Sequence, residues 1–466
     1  MTCFLLLALN VSTEMTPHEQ SRWALIDSLI SRGSFEIDPE IAGSDVAIVN
    51  DHYYSVFSPG LSLLLTPYAW LLRTLFKTVN AYSLVLENIG LELFSIVITA
   101  ISALLLYRIN MNIAGEKAAF ISSLIIIFCT PIAAFGRSIF PHIYTMFFIV
   151  LAFYQILKQR SNHLLAAISL AMCFFLEYQT LILFLPMYFY AYFYRSKRDL
   201  ITFLIYFIPT VIVGLFHLLY NSLLFGGPFN FPEKFWSGYP ERPAEFSLMF
   251  STPPHLGVYL LLLSPENGLL LITPILITSF IGLWYLRTFR SDLAVLIMAL
   301  LCSSLLFYSA WHLPWGGGSF GPRFLIPVIS ILSTPLSVFI EKKILKSRLT
   351  GIFLFSILMF YSSAASSLGI IVAPDCLFNN AFYNLLRLRS PCIIPQLLGL
   401  IHVAQVIYWI FIAVLVNLIL SLPLIKFYIL KLKEEMLAKY PASALPVFLI
   451  SRIRLTSCIW LGVALR

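Results

Sequence analysis

Long apolar runs constrain this chain more than any other feature: residues 203–216 and 268–286 contain no charged side chain at all. In hydrocarbon every backbone amide must be satisfied within its own segment, so runs of this length read as membrane-crossing helices. Strands of an outer-membrane barrel would alternate apolar and polar residues over much shorter stretches. Composition points the same way, with 59% hydrophobic residues, 11% charged residues and a mean hydropathy of +0.88 over 466 residues. A soluble domain is about a quarter charged. A water-soluble enzyme, a disordered chain and a fibrous protein are therefore excluded, and the expected fold class is an all-α integral membrane protein.

Expected spans lie near 82–107, 118–135, 140–157, 163–179, 180–194, 200–222, 268–286, 293–310, 324–340, 350–373 and 397–425, giving about 11–13 transmembrane helices when the ends are included. Residues 1–12 are too short for about 30 Å of hydrocarbon and read as a truncated first helix or a signal remnant. Residues 58–76 are long enough to cross but carry Pro59, Gly60, Pro67 and Arg73. Charge decides between crossing and not crossing. If 58–76 stays on one side, one face collects 20 of the 30 Lys and Arg and only six of the 22 Asp and Glu. Positive residues prefer the cytosol, and one extra crossing would invert this distribution. Residues 58–76 are accordingly read as a re-entrant or interfacial helix inside a large first extracytosolic loop, 13–81. The polytopic domain is expected over 1–425, with a cytosolic or interfacial tail at 426–466.

The net charge of +8 does not indicate nucleic acid, because the Lys and Arg punctuate apolar runs and do not cluster between aromatics. The seven cysteines show no metal-ligand spacing, so no metal site is expected. Only Cys376 and Cys392 share an expected loop, and a disulfide between them requires that loop to face an oxidising compartment.

Polar residues concentrate in the first loop, where positions 13–53 hold eight carboxylates: Glu14, Glu19, Asp27, Glu36, Asp38, Glu40, Asp45 and Asp51. Thr16-Pro17-His18-Glu19 has the spacing of a capping box, with proline at the first helical position, and predicts a helix running to Arg32 and stopping at Gly33. On spacing alone Glu19 caps, Arg22 pairs with a nearby acid, and neither is catalytic. Other loops on the same face hold Gly136-Arg137-Ser138-Ile139-Phe140-Pro141-His142, then Glu177-Tyr178, and a segment opened by Tyr220-Asn221. Trp311-His312-Leu313-Pro314-Trp315-Gly316-Gly317-Gly318 leads to Arg323 at a membrane edge. Triple glycine permits close backbone approach to a ligand, and Arg323 is placed to hold a phosphate. An aromatic interface belt with a flexible turn and a snorkelling arginine is the plainer reading of the same residues.

Several of these segments resemble the GT-C superfamily of polytopic glycosyltransferases, which use polyprenyl-phosphate sugars and include protein O-mannosyltransferase and aminoarabinose transferase relatives. Glu19-Gln20-Ser21-Arg22-Trp23-Ala24, Gly33-Ser34-Phe35-Glu36-Ile37-Asp38, Tyr53-Tyr54-Ser55 and Ser58-Pro59-Gly60 are similar to the first outer loop of that group. The family's usual Asp-Glu-x-Arg-Tyr is altered here to Glu19, Gln20 and Trp23. Tyr220-Asn221 with Phe225-Gly226 and Pro228, Ser264-Pro265 with Gly268-Leu269, and Gly321-Pro322-Arg323-Phe324-Leu325 with Pro327 are similar to bacterial members. The resemblance covers residues 19 to about 327.

It implies transfer of a sugar from a polyprenyl-phosphate donor to a lipid, glycan or protein acceptor on the extracytosolic face of a bacterial inner or plasma membrane. Glu19 is then the expected catalytic base, with Asp27, Glu36 and Glu177 as alternatives. Arg22, Tyr54, Arg137, His142, Glu177, Asn221 and Arg323 are expected to bind substrate. No cofactor is expected beyond the lipid-linked co-substrate, and dependence on a divalent metal stays open. The competing readings are a lipid or sugar transporter or flippase, and a catalytically inactive relative suggested by Gln20. A transporter would place ionisable groups at mid-membrane and show internal repeats. Here Glu92 and His217 are the main ionisable residues away from span ends, and the two halves show no repeat.

Overall fold

A computed structural model describes residues 7–8, 10–12, 14–79, 83–196, 198–239, 249–347, 349–372, 380–381 and 402–439. Cys376, Cys392, Asp375 and Glu241 lie outside the described residues. Helices fill nearly every apolar run. Five are long and apolar enough to cross a membrane: α3 (Leu84–Met111), α7 (Leu200–Phe225), α9 (Ser291–Ala310), α12 (Leu349–Val372) and α13 (His402–Lys439). A sixth crossing comes from the bent pair Arg323–Ile331 and Ser333–Ile344, which turn by 45° at their junction. The chain is a multi-pass membrane protein.

The remaining expected spans also fold as helix, in shorter or interrupted pieces: α4 (Glu116–Phe128), α5 (Pro141–Leu157), α6 (His163–Leu176) and α8 (Ile277–Arg287). Proline accounts for two of the interruptions, since it lacks the N–H that the helical ladder needs. Pro131 separates α4 from the short turn Ile132–Phe135, and Pro274 separates Leu269–Ile272 from α8. Contacts divide the chain into residues 1–417 and 418–466, and α13 runs through that boundary to Lys439.

The first loop begins as its sequence predicts. Thr16 caps α1 (Pro17–Ser31): its side chain accepts the Glu19 amide while the Glu19 carboxylate accepts the Thr16 amide, and Arg32 ends the helix before Gly33 at φ +64°. The loop also contains an antiparallel hairpin, β1 (Val46–Val49) and β2 (His52–Ser55). Its two-residue turn, Asn50-Asp51, has φ of 50° and 65°, the left-handed geometry that matches strand twist and that Asn and Asp tolerate. Ser237 N–H donates to the Val46 carbonyl at 2.9 Å, fastening the hairpin to the loop after α7.

The segment expected to lie along one face forms α2 (Gly60–Thr78). Its start packs on the last turn of α6, where Ser58 Oγ donates to the Phe175 carbonyl at 3.1 Å and a Cβ on Gly60 would come within 1.9 Å of that same oxygen. Its far half meets the first turns of α3. Arg73 bridges Asp27 (2.7 Å) and Glu87 (2.9 Å), Trp23 Nε1 also donates to Glu87, and Tyr68 donates to the Gly90 carbonyl. Because α3, α4, α5 and α6 alternate in direction, the end of α6 and the start of α3 fall at the same end of the bundle. Both halves of α2 therefore touch one end.

This geometry and the charge asymmetry give a labelling result. In a cysteine-free background, an impermeant maleimide applied from outside is expected to label cysteines at Asp51 and Glu266 and to leave Arg198, Arg287 and Lys343 positions unlabelled. Labelling at position 343 would overturn the orientation.

Candidate active site

Glu19 sits where α1 meets the α4–α5 connection. It is 2% exposed, and its two oxygens are engaged separately: Oε2 accepts the Thr16 amide and Oε1 accepts the Ile139 amide, both at 2.9 Å. The capping role read from spacing is thus present, together with a second bond to a segment 120 residues away. The carboxylate joins the two loops.

Helical spacing puts His18 and Arg22 on one face of α1, four residues apart. Arg22 is 5% exposed; its NH1 donates to the His18 carbonyl at 3.0 Å, and its guanidinium lies over the Phe57 ring at 3.9 Å. It pairs with no acid among the described residues, contrary to the simplest sequence reading, and its Nε makes no hydrogen bond there. Burial lowers its pKa to about 10, partly offset by Glu177, so it stays cationic at neutral pH.

A second guanidinium arrives from the opposite side of the sequence. The Gly-rich loop leads into a single 3-10 turn, Arg323–Leu325, and holds Gly316 at φ +98°. A Cβ at Gly316 would lie 2.6 Å from Arg323 Nε, so the absence of a side chain there is what lets Arg323 fold back over the loop. Arg22 and Arg323 meet at Phe140, whose ring centroid is 5.9 Å from one guanidinium carbon and 5.6 Å from the other.

His18 completes this group. Its ring stands edge-on to Phe57 (4.9 Å) and Phe140 (5.6 Å) and tilts against Trp236 (6.3 Å). Nδ1 lies 2.7 Å from Asp45 Oδ2 and both atoms are buried; the contact is at ion-pair distance but is not aligned as a hydrogen bond, and neither atom has a hydrogen-bond partner among the described residues. Burial, reinforced by the Arg323 charge, pushes the His18 pKa down to about 4, leaving the imidazole neutral at pH 7.

Two more buried pairs flank the cluster. Glu177, after α6, meets His142 Nδ1 at 3.0 Å and accepts from Thr145 and Gln179. Glu92 of α3 meets Arg137 NH1 at 3.2 Å and accepts the Ser12 amide, while Arg137 NH2 donates to the Ile370 carbonyl. These bonds connect the chain's beginning, the α4–α5 connection and α12.

Of the residues expected from sequence, Glu19, Arg22, Arg137, His142, Glu177 and Arg323 therefore gather at one end of the bundle. Tyr54 and Asn221 lie beside this group and have no contact with its charged side chains among the described residues: Tyr54 packs in an apolar cluster that also holds Phe57 and Trp236. Tyr54 packs edge-on to Phe225 at 5.5 Å, and Asn221 Nδ2 donates to the Pro228 carbonyl at 3.2 Å, closing the turn after α7. The alternative carboxylates are also engaged elsewhere, Asp27 with Arg73 and Glu36 with His52. Sequence reasoning passed over His18 and Asp45 as a pair, because 27 residues separate them and only the hairpin's position brings them together. Among the described residues no three His, Cys, Asp or Glu side chains form a metal-ligand group. An apolar void is lined by Leu262, Leu276 and Leu332 and by Leu325 of the turn that carries Arg323.

No protein-family profile matches the chain, and no curated protein does. Among solved structures, it is similar to ArnT from Cupriavidus metallidurans bound to undecaprenyl phosphate, with a TM-score of 0.49 and 11% identity over 91% of this chain and 76% of that one. It is similar also to the archaeal oligosaccharyltransferase AglB from Archaeoglobus fulgidus, in complex with an inhibitory peptide and a dolichol-phosphate. There the TM-score is 0.46 and the identity 12%, over 78% of this chain and 55% of that one.

Proposed function

We propose that the chain is a membrane glycosyltransferase of the GT-C type, which moves a sugar from a polyprenyl-phosphate donor to a hydroxyl acceptor at the extracytosolic face of a cell membrane. The observation that carries this reading is the meeting of Arg22 and Arg323 at Phe140. Two buried guanidiniums brought together from segments 301 residues apart repel each other, and the nearby Glu177, Asp45 and Glu19 offset part of that repulsion for Arg22. A phosphate satisfies them and suits their planar forks. The arginines lie at one end of an apolar bundle, where a phosphate tethered to a lipid chain would be presented.

The chemistry required there is modest. The acceptor oxygen attacks the anomeric carbon as the sugar–phosphate bond breaks, and charge builds on the departing phosphate. Preorganised cations stabilise that charge without reorganising. A neighbouring proton acceptor takes the hydroxyl proton, and the cluster offers two candidates, Glu19 and His18. His142 with Glu177 lies close enough to Arg22 and Arg323 to influence their charge and supplies polar groups for sugar hydroxyls.

Purified protein in nanodiscs, given a panel of radiolabelled undecaprenyl- and dolichyl-phosphate sugars, is expected to release label from the lipid into water-soluble sugar or acceptor product. Movement of intact labelled lipid between leaflets of proteoliposomes, with no bond cleavage for any donor, would replace this reading with transport.

A further inference from the structure

The proton acceptor lies on α1, but two side chains compete for the role. Glu19 has both oxygens committed to backbone amides of two different segments, so moving its carboxylate toward a substrate would unfasten the joint it makes. His18, one residue earlier, is differently arranged. Its Nδ1 faces Asp45 at 2.7 Å and its ring is held by Phe57, Phe140 and Trp236. A carboxylate oxygen 2.7 Å away favours a hydrogen on Nδ1, which leaves the lone pair on Nε2. Nδ1 is buried, while 12% of the side chain remains open. An acid that orients a histidine and fixes its tautomer leaves the far nitrogen ready to take a proton.

We infer that His18, oriented by Asp45, is the general base of the transfer reaction, and that Glu19 positions the loops around it. The inference rests on the glycosyltransferase reading above. In the step, the acceptor hydroxyl gives its proton to His18 Nε2 while its oxygen bonds to the anomeric carbon. The bond from that carbon to the phosphate oxygen breaks, and both its electrons leave with the lipid phosphate between Arg22 and Arg323. The imidazolium then returns its proton to the departing phosphate or to water, so no external reductant, oxidant or metal is consumed.

The placement of charge explains how so weak a base would function. Burial holds the imidazole in its neutral form, with Arg323 and Arg22 adding to it, while Asp45 favours the cation. A phosphate bound at the arginines offsets their part of this and makes His18 a stronger base when donor is present. Empty enzyme keeps His18 unprotonated and available over most of the pH range.

The test uses hydrolysis of a radiolabelled polyprenyl-phosphate sugar, in which water replaces the unidentified acceptor and needs the same base. His18→Gln is expected to lower kcat by about 10²–10⁴-fold while undecaprenyl phosphate still binds with unchanged affinity. His18→Ala should regain activity with added imidazole. Asp45→Asn, which reverses the preferred tautomer, should lower kcat without becoming responsive to imidazole. Near-normal kcat for His18→Gln with an unaltered pH profile would overturn the inference. So would a His18→Ala variant that neither binds undecaprenyl phosphate nor responds to imidazole, since the role would then be structural. If the wild-type protein cleaves no donor, the glycosyltransferase reading falls first and the inference with it.

Discussion

Removing both Arg22 and Arg323 is expected to weaken binding of polyprenyl-phosphate donors by about 10²–10⁴-fold, with the protein still folded. Each guanidinium can make charge-assisted hydrogen bonds to a phosphate, worth about 1.5–3 kcal/mol apiece. Two such contributions give the range stated, with single variants intermediate. Folding should tolerate the change, because Arg22 lies in an outer-loop helix and Arg323 in a single 3-10 turn at the end of the bundle, and neither sits inside a long apolar helix. Two mutually repelling cations are also removed. Arg323→Lys restores the charge but not the planar fork and should recover only part of the affinity. Titration of wild-type and variant proteins with undecaprenyl phosphate, and with uncharged undecaprenol as control, measures the effect. Equal binding of both lipids by the wild type would show that the headgroup is not what the arginines hold.

The second large effect falls on stability. Glu92→Gln removes the carboxylate that meets Arg137, 1% exposed, in the interior. Breaking one member of a buried ion pair costs about 3–5 kcal/mol. The loss should be at the high end here, because Glu92 also accepts the Ser12 amide and Arg137 also reaches the Ile370 carbonyl. Ile139, two residues from Arg137, donates to Glu19, so the damage extends to the joint beneath the active-site cluster. The expected observation is a low yield of monodisperse protein and a depressed unfolding temperature in detergent. Glu92→Met combined with Arg137→Met should recover part of that loss, since replacing both charges leaves no uncompensated ion. A Glu92→Gln protein as stable as wild type would show that the pair is dispensable.

Much of this arrangement was legible locally. The capping box at Thr16 and Glu19, the stop at Gly33 and the apolar runs all depend on residues within a few positions of each other, and each appears in the structure where its spacing puts it. The hairpin was missed although Asn50-Asp51 between Val46–Val49 and His52–Ser55 carried its turn signal, because residues 33–57 were read for their carboxylates and given no secondary structure. Non-local contacts were not legible. Nothing near Glu19 in sequence announces the Ile139 amide, and that bond changes how Glu19 should be probed. Glutamine was a neutral replacement for a capping residue alone. With one backbone N–H at each oxygen, its NH₂ group would face a donor whichever way the amide is turned, at a cost of about 1–3 kcal/mol. Loss of activity in Glu19→Gln would therefore not distinguish a base from a joint. His18 was visible within the same four-residue motif, but its role depends on Asp45 arriving from the hairpin.

The central claim is that the end of the bundle holding Arg22, Arg323 and Phe140 is a lipid-phosphate site. Its most direct measurement is an experimental structure of the protein in nanodiscs with undecaprenyl phosphate. The account predicts phosphate density within hydrogen-bonding distance of both guanidiniums, with the prenyl chain leaving along the apolar helices. A phosphate seated elsewhere on the bundle, with Arg22 and Arg323 still meeting at Phe140, would contradict it.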